Sequence, residues 1–167
     1  MKIFSIDIVI VEGLQRIQVP VVNQIMMFFS AIGNAGIVWI ILALILVMRR
    51  KTRNYGIIIL IALLITAILG EGVLKNIIKR NRPFVTLSNL KLLITPPASY
   101  SFPSGHTASS FAVFGVFYFL NMRYKWVVFL TAFLIAFSRM YLGLHYFSDI
   151  IGGVILGLGV SYVVCSY

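Results

Sequence analysis

From Ile17 to Met48 the chain runs for thirty-two residues without a single charged side chain. A run that long has no place on a water-soluble domain. It is also too long for one ordinary membrane crossing, which takes about 20 mostly apolar residues. The rest of the chain is similar in character: 60% of the 167 residues are hydrophobic and only four are acidic, with a mean hydropathy of +1.02. A soluble fold of this length has no interior large enough for so much apolar surface, so the chain is expected in the bilayer. There each segment must satisfy its own backbone, which leaves helices as the building element. The length suits one domain, taken as 1–167, with 1–32 as an interfacial or re-entrant N-terminal part and 33–167 as the helical bundle proper. The one cysteine, Cys165, excludes an internal disulfide.

The uncharged run is expected to break around Gly33-Asn34-Ala35-Gly36, leaving residues 20–32 as a short tilted or re-entrant piece. Ile37 to Met48 then forms the heart of the first full span. Met1 to Pro20 mixes Asp7, Glu12 and Arg16 with apolar residues, as an interfacial amphipathic helix does. Acids within that stretch, and no small-residue cleavage site after it, argue against a cleaved signal peptide. Further spans follow from Tyr55 to about Lys75, from Ser104 to Leu120, from Trp126 to Leu142 and from Ser148 to Val164. The polar loop between Lys79 and Phe102 carries the helix breakers Arg82-Pro83 and Pro96-Pro97. The expected fold is therefore all-α: an integral membrane bundle of about five full transmembrane helices plus the N-terminal segment.

The net charge of +10 needs a cause. Basic residues anchor helix ends and set orientation, and some bind anions. Nucleic acid is not expected as a partner, because no basic stretch lies on a soluble, aromatic-bearing platform. Arg49, Arg50, Lys51, Arg53, Arg123 and Lys125 lie on one side of the bundle; Lys75, Lys79, Arg80, Arg82, Lys91 and Arg139 lie on the other. Counting gives a tie. Treating several of the second set as anion ligands puts the first set in the cytoplasm and the second side outside. Lys79, Arg80 and Lys91 are taken as headgroup anchors or as a source of general attraction.

Three clusters fall on that second side: Lys75 with Arg82-Pro83, Pro103-Ser104-Gly105-His106, and Ser138-Arg139 with His145 and Asp149. Charged groups in or beside a bilayer are costly and mark function or mutual pairing. Arg offers bidentate donors to phosphate oxygens, and Lys a compact charge. Ser104-Gly105-His106 opens a helix whose free N–H groups favour an anion. Asp149, four residues after His145, is spaced to orient that imidazole and free its other nitrogen to attack. His106 is then a second imidazole able to protonate a departing oxygen. Singly, each residue has a plainer explanation: an edge lysine is usually an anchor, and a buried histidine is usually structural. Both histidines of the chain lie on one side beside cations, and that joint pattern favours a phosphate site. Glu71, four residues before Lys75, is read as its intrahelical ion-pair partner.

These clusters resemble the signature of the type 2 phosphatidic acid phosphatase superfamily: Lys75-x6-Arg82-Pro83, then Pro103-Ser104-Gly105-His106, then Ser138-Arg139-x5-His145-x3-Asp149. The eleven specified positions are all filled at the family's spacing. The resemblance implies His145 as nucleophile forming a phosphohistidine, Asp149 as its orienting partner and His106 as general acid. It implies Lys75, Arg82, Ser104, Gly105 and Arg139 as the phosphate cradle. It also implies no cofactor and no metal, and the chain has no carboxylate cluster suited to one. The substrate implied is a membrane lipid phosphate or pyrophosphate arriving within the bilayer, first of all undecaprenyl pyrophosphate. Phosphatidylglycerol phosphate and phosphatidic acid are the alternatives. A phosphotransferase using the same phosphohistidine, and a lipid or anion carrier without catalysis, are the competing classes. A carrier would need the cations but not His145 and Asp149 at this spacing.

Overall fold

The computed structural model describes residues 2–166, with side chains from residue 5 onward. Helix α1 (Lys2–Arg16) leads into α2 (Pro20–Ile32), which starts on a proline already set for a first helical turn. The uncharged run breaks where its glycines lie. Ala35 and Gly36 take φ of 49° and 68°, and α3 (Ile37–Met48) leaves at 48° to α2. Helix α4 (Arg53–Ala67) continues through a π-helical stretch, Ile68–Leu74, into the short α5 (Lys75–Ile78). Widened turns of this kind re-aim the helix beyond them and recur at functional sites. After α6 (Pro83–Thr86) an irregular loop leads to α7 (Gly105–Phe119), α8 (Lys125–Tyr141) and α9 (Phe147–Cys165).

Helix α7 is the central pillar. Ten of its fifteen residues are buried, and it packs against α9, α8 and α4. Glycines on α9 permit the closest approach. A Cβ on Gly153 would meet the Ser104 carbonyl at 2.8 Å, and one on Gly157 would press on the α7 backbone. Trp39 of α3 donates its indole N–H to Ser110 Oγ of α7 at 2.9 Å, which satisfies a polar group in an otherwise apolar core. Apolar side chains such as Trp126, Leu130, Ile155 and Val163 are exposed on the outer surface, as lipid contact requires.

The expected spans are unequal in length. Among the described residues, the stretch Arg53–Thr86, helical as far as Ile78 and again from Pro83, and helix α9 are long and apolar enough to cross a membrane, and the bent α2–α3 pair makes a third if taken as one span. Helices α7 and α8, with fifteen and seventeen residues, fall short of that length. The physical reason is that both end in the polar site: α7 begins at Gly105, and α8 finishes just after Arg139. Buried among its neighbours, α7 also has little lipid to match.

Candidate active site

The start of α5, the start of α7, the end of α8 and the turn between α8 and α9 converge on one cavity of about 1000 Å³. Lys75, Arg82, Gly105, His106, Arg139 and His145 all line it. Its other flank is apolar, formed by Ile40 of α3 with Leu60, Leu63 and Leu64 of α4.

Each cation is held differently. Lys75 is 5% exposed; its ammonium lies 2.7 Å from Glu71 Oε1 and donates to Ser99 Oγ at 3.2 Å. The expected Glu71–Lys75 pair is thus present, with the carboxylate half exposed at the cavity edge. Arg82 donates Nε to the Ser99 carbonyl (2.7 Å), Nη1 to the Leu144 carbonyl (3.0 Å) and Nη2 to the Tyr100 carbonyl (3.2 Å). Arg139 donates Nη1 to Ser30 Oγ of α2, and its Nε finds no partner among the described residues. Neither Arg82 nor Arg139 has a carboxylate within ion-pair distance among the described residues. Two buried guanidinium groups without a counter-charge are expensive unless an anion joins them.

The two imidazoles share this space. His145 is 1% exposed in the turn between α8 and α9. Its Nε2 lies 3.1 Å from Arg82 Nη1. Arginine only donates, so Nε2 holds a lone pair and Nδ1 the proton. Nδ1 faces Asp149 Oδ2 and Ser101 Oγ, each at 3.5 Å. Burial first, with the Arg82 and Arg139 charges adding to it and Asp149 opposing it, pushes the His145 pKa down to about 3. His106, the second residue of α7, has an Nε2 that is buried without a partner among the described residues.

Two side chains are placed by helix caps. Helix α9 starts only at Phe147, so it is not a shared helical face that brings Asp149 to His145. Asp149 instead occupies the third helical position and accepts from the Tyr146 N–H at 2.9 Å, a cap that turns the carboxylate back toward His145. Ser104, expected in the phosphate cradle, is not among the residues lining the cavity. Its hydroxyl caps α7, accepting from the Thr107 N–H (3.4 Å) and hydroxyl (3.0 Å). The neighbouring Gly105 does open on the cavity, and a Cβ there would collide with Glu71 Oε1.

Arg80 corrects its assignment as a headgroup anchor. Its guanidinium bridges Asp149 Oδ1 (2.6 Å) and Asp7 Oδ2 (2.7 Å) and lies 4.2 Å over the Tyr146 ring. Asp7, on the helix expected to be interfacial, is 1% exposed and accepts from the N–H (2.9 Å) and hydroxyl (2.5 Å) of Ser148. Ser101 donates to Asp149 Oδ2 at 2.5 Å. Nothing in the local sequence marks these partners, because they are far apart along the chain. No group of three His, Cys, Asp or Glu side chains arranged to hold a metal occurs among the described residues.

Comparison with known proteins points the same way. The family model of the PAP2 superfamily matches residues 55–167. An undecaprenyl-diphosphatase of Sulfolobus acidocaldarius is 34% identical over 87% of this chain and 70% of its own length. The bacitracin transport permease protein BcrC of Bacillus licheniformis is 30% identical over 81% of this chain and 63% of its own. The crystal structure of a transmembrane PAP2-type phosphatidylglycerolphosphate phosphatase from Bacillus subtilis superimposes with a TM-score of 0.81 at 28% identity. That match covers 99% of this chain and 85% of the other.

Proposed function

The chain belongs to the PAP2 superfamily, and on that footing we propose that this membrane lipid phosphatase hydrolyses undecaprenyl diphosphate to undecaprenyl phosphate and phosphate. The observation that carries the proposal is the pair of buried, carboxylate-free guanidiniums beside two imidazoles in one cavity with an apolar flank. A phosphoryl group supplies the missing counter-charge, and the apolar flank suits a prenyl chain.

In the proposed reaction the His145 Nε2 lone pair attacks the terminal phosphorus, and the bond to the bridging oxygen breaks with its electron pair leaving on lipid phosphate. Arg82, Arg139, Lys75 and the Gly105 N–H hold the three equatorial oxygens, where charge stabilisation is worth most. Arg82 is already 3.1 Å from the attacking nitrogen, so a small turn brings its donors onto phosphate. Asp149, through the Nδ1 proton, balances the charge that His145 acquires. His106 gives a proton to the leaving oxygen, then takes one from the water that opens the phosphohistidine. Ser104 contributes by fixing the start of α7.

The site is assigned to the extracytoplasmic face of the cell membrane, in one single domain. Of the six basic residues on that side, Lys75, Arg80, Arg82 and Arg139 are engaged inside the protein and do not count as topology signals. Lys79 and Lys91 remain exposed there, against five exposed basic residues and the half-buried Lys125 on the other side.

The test is phosphate release by purified protein in detergent with EDTA present, comparing undecaprenyl diphosphate, phosphatidylglycerol phosphate and phosphatidic acid. The expected order places the diphosphate first, with His145→Ala inactive on all three. The likeness to the phosphatidylglycerolphosphate phosphatase makes that lipid the second candidate, and it takes over if its kcat/KM exceeds that of the diphosphate. Full turnover by His145→Ala would remove the nucleophile assignment.

A further inference from the structure

Asp149 is the only carboxylate within ion-pair distance of His145 among the described residues, yet that separation is 3.5 Å, longer than a well-formed hydrogen bond. What fixes the carboxylate is elsewhere. Oδ1 is taken by Arg80 at 2.6 Å, and Oδ2 receives the Ser101 hydroxyl and the Tyr146 N–H. Arg80 in turn is set by Asp7 at 2.7 Å and by the Tyr146 ring beneath it. Asp7 is anchored by both the N–H and the hydroxyl of Ser148, so α1 caps the first turn of α9 from outside.

We infer that Arg80 and Asp7 are positioning residues for the His145–Asp149 pair, and that α1 is part of the catalytic scaffold. This rests on the nucleophile assignment above. A guanidinium is planar and holds two carboxylates in one fixed geometry, which a point charge does not do. Two buried acids, Asp7 at 1% and Asp149 at 0% exposure, share this one cation. Without it they would repel each other, and the Asp149 carboxylate would turn away from the imidazole. Arg80 does not line the cavity, so its loss acts through Asp149 and leaves lipid binding alone.

The experiment is a double-mutant cycle with kcat and KM measured separately on undecaprenyl diphosphate. Arg80→Gln is expected to lower kcat on the order of 10- to 100-fold while KM stays within about twofold, as for other residues that orient a reacting ligand. Asp7→Asn keeps one oxygen to accept from the Ser148 N–H while removing the charge that faces Arg80, and is expected to lower kcat about fivefold alone. In the Arg80→Gln background it should cost less than about twofold, because both act through one contact. Arg80→Lys should recover part of the lost kcat. Equal costs of Asp7→Asn in both backgrounds, or an Arg80→Gln kcat within about twofold of the parent, would overturn the inference. If Arg80→Gln does not yield monodisperse protein, Asp7→Asn decides: lowered kcat at constant KM supports the inference, and an unchanged kcat ends it. His145→Ala runs alongside. Turnover in that variant condemns the nucleophile assignment, whereas an inactive His145→Ala beside a fully active Arg80→Gln condemns the positioning role alone.

Discussion

Replacing Gly153 by alanine adds one methyl group at the point where the two halves of the site are bolted together. Gly153 lies one turn beyond Asp149 on α9 and faces the start of α7. The new Cβ would sit 2.8 Å from the Ser104 carbonyl and 2.9 Å from Thr107 Cβ, about 0.6 Å inside the 3.4 Å where ordinary contact begins. The first obstacle is backbone and cannot rotate aside, so the helices must part by a similar distance. That stretches the Ser104 N–H bond to the Asp149 carbonyl, now 3.1 Å, and draws His145 and Asp149 away from Gly105 and His106. Overpacking of this kind costs about 1–3 kcal/mol of stability. A misplacement of about 1 Å at a reacting centre costs on the order of 100-fold in rate, so roughly half that distance should cost on the order of tenfold in kcat/KM. Gly159 on the same helix is the control. A Cβ there meets nothing within 4 Å, and alanine should leave activity intact and add up to about 1 kcal/mol through helix propensity. Phosphate release in detergent and a thermal melt followed by tryptophan fluorescence read both effects. Equal activity in the two variants would refute the claim that the α7–α9 contact sets the catalytic geometry.

Two further outcomes are expected of the site. A lipid phosphate leaves with its second pKa near about 6, whereas a lipid monoester must expel a far more basic alkoxide. His106→Gln should therefore lose more activity on phosphatidic acid than on undecaprenyl diphosphate, and an equal loss on both would remove its role as acid. For pH, a His145 pKa pushed down to about 3 by burial keeps this imidazole neutral throughout the physiological range. In the unfolded chain it takes up a proton below about 6.5, so folded stability should fall as pH drops through that range, by about 2 kcal/mol at a pH of about 5. Melts at a pH of about 7.5 and of about 5, either side of the free imidazole's pKa, should thus differ more for the parent than for His145→Gln; equal differences would contradict the buried neutral imidazole.

The sequence exposed those parts of the site whose chemistry is tied to short spacing. Lys75 and Arg82, the Ser104-Gly105-His106 helix start, and Arg139 with His145 each carry their own local signature, and the break at Gly33–Gly36 announced itself through composition. The structure brings the cationic and imidazole members to one cavity. What stayed hidden depends on tertiary contact: Arg80 meets Asp7 across 73 residues, and Arg139 meets Ser30 across 109. A buried acid on an amphipathic helix looks, in one dimension, like any other surface charge. Ser104 shows the reverse, since a serine before Gly-His serves a ligand or a helix cap equally well, and here its oxygen accepts from Thr107.

The shortness of the central pillar bears on where the lipid must go. Fifteen residues rise only roughly 22 Å, against about 30 Å of hydrocarbon in an ordinary bilayer. If Arg123 and Lys125 hold the far end of α7 at the opposite boundary, its Gly105 end stops several ångströms short of the near headgroups. A phosphate lipid reaching His145 would then have to sink below its neighbours, or the leaflet would have to dip to meet it. Both give a reason for several cations to wait at that depth: they replace the water that the headgroup leaves behind.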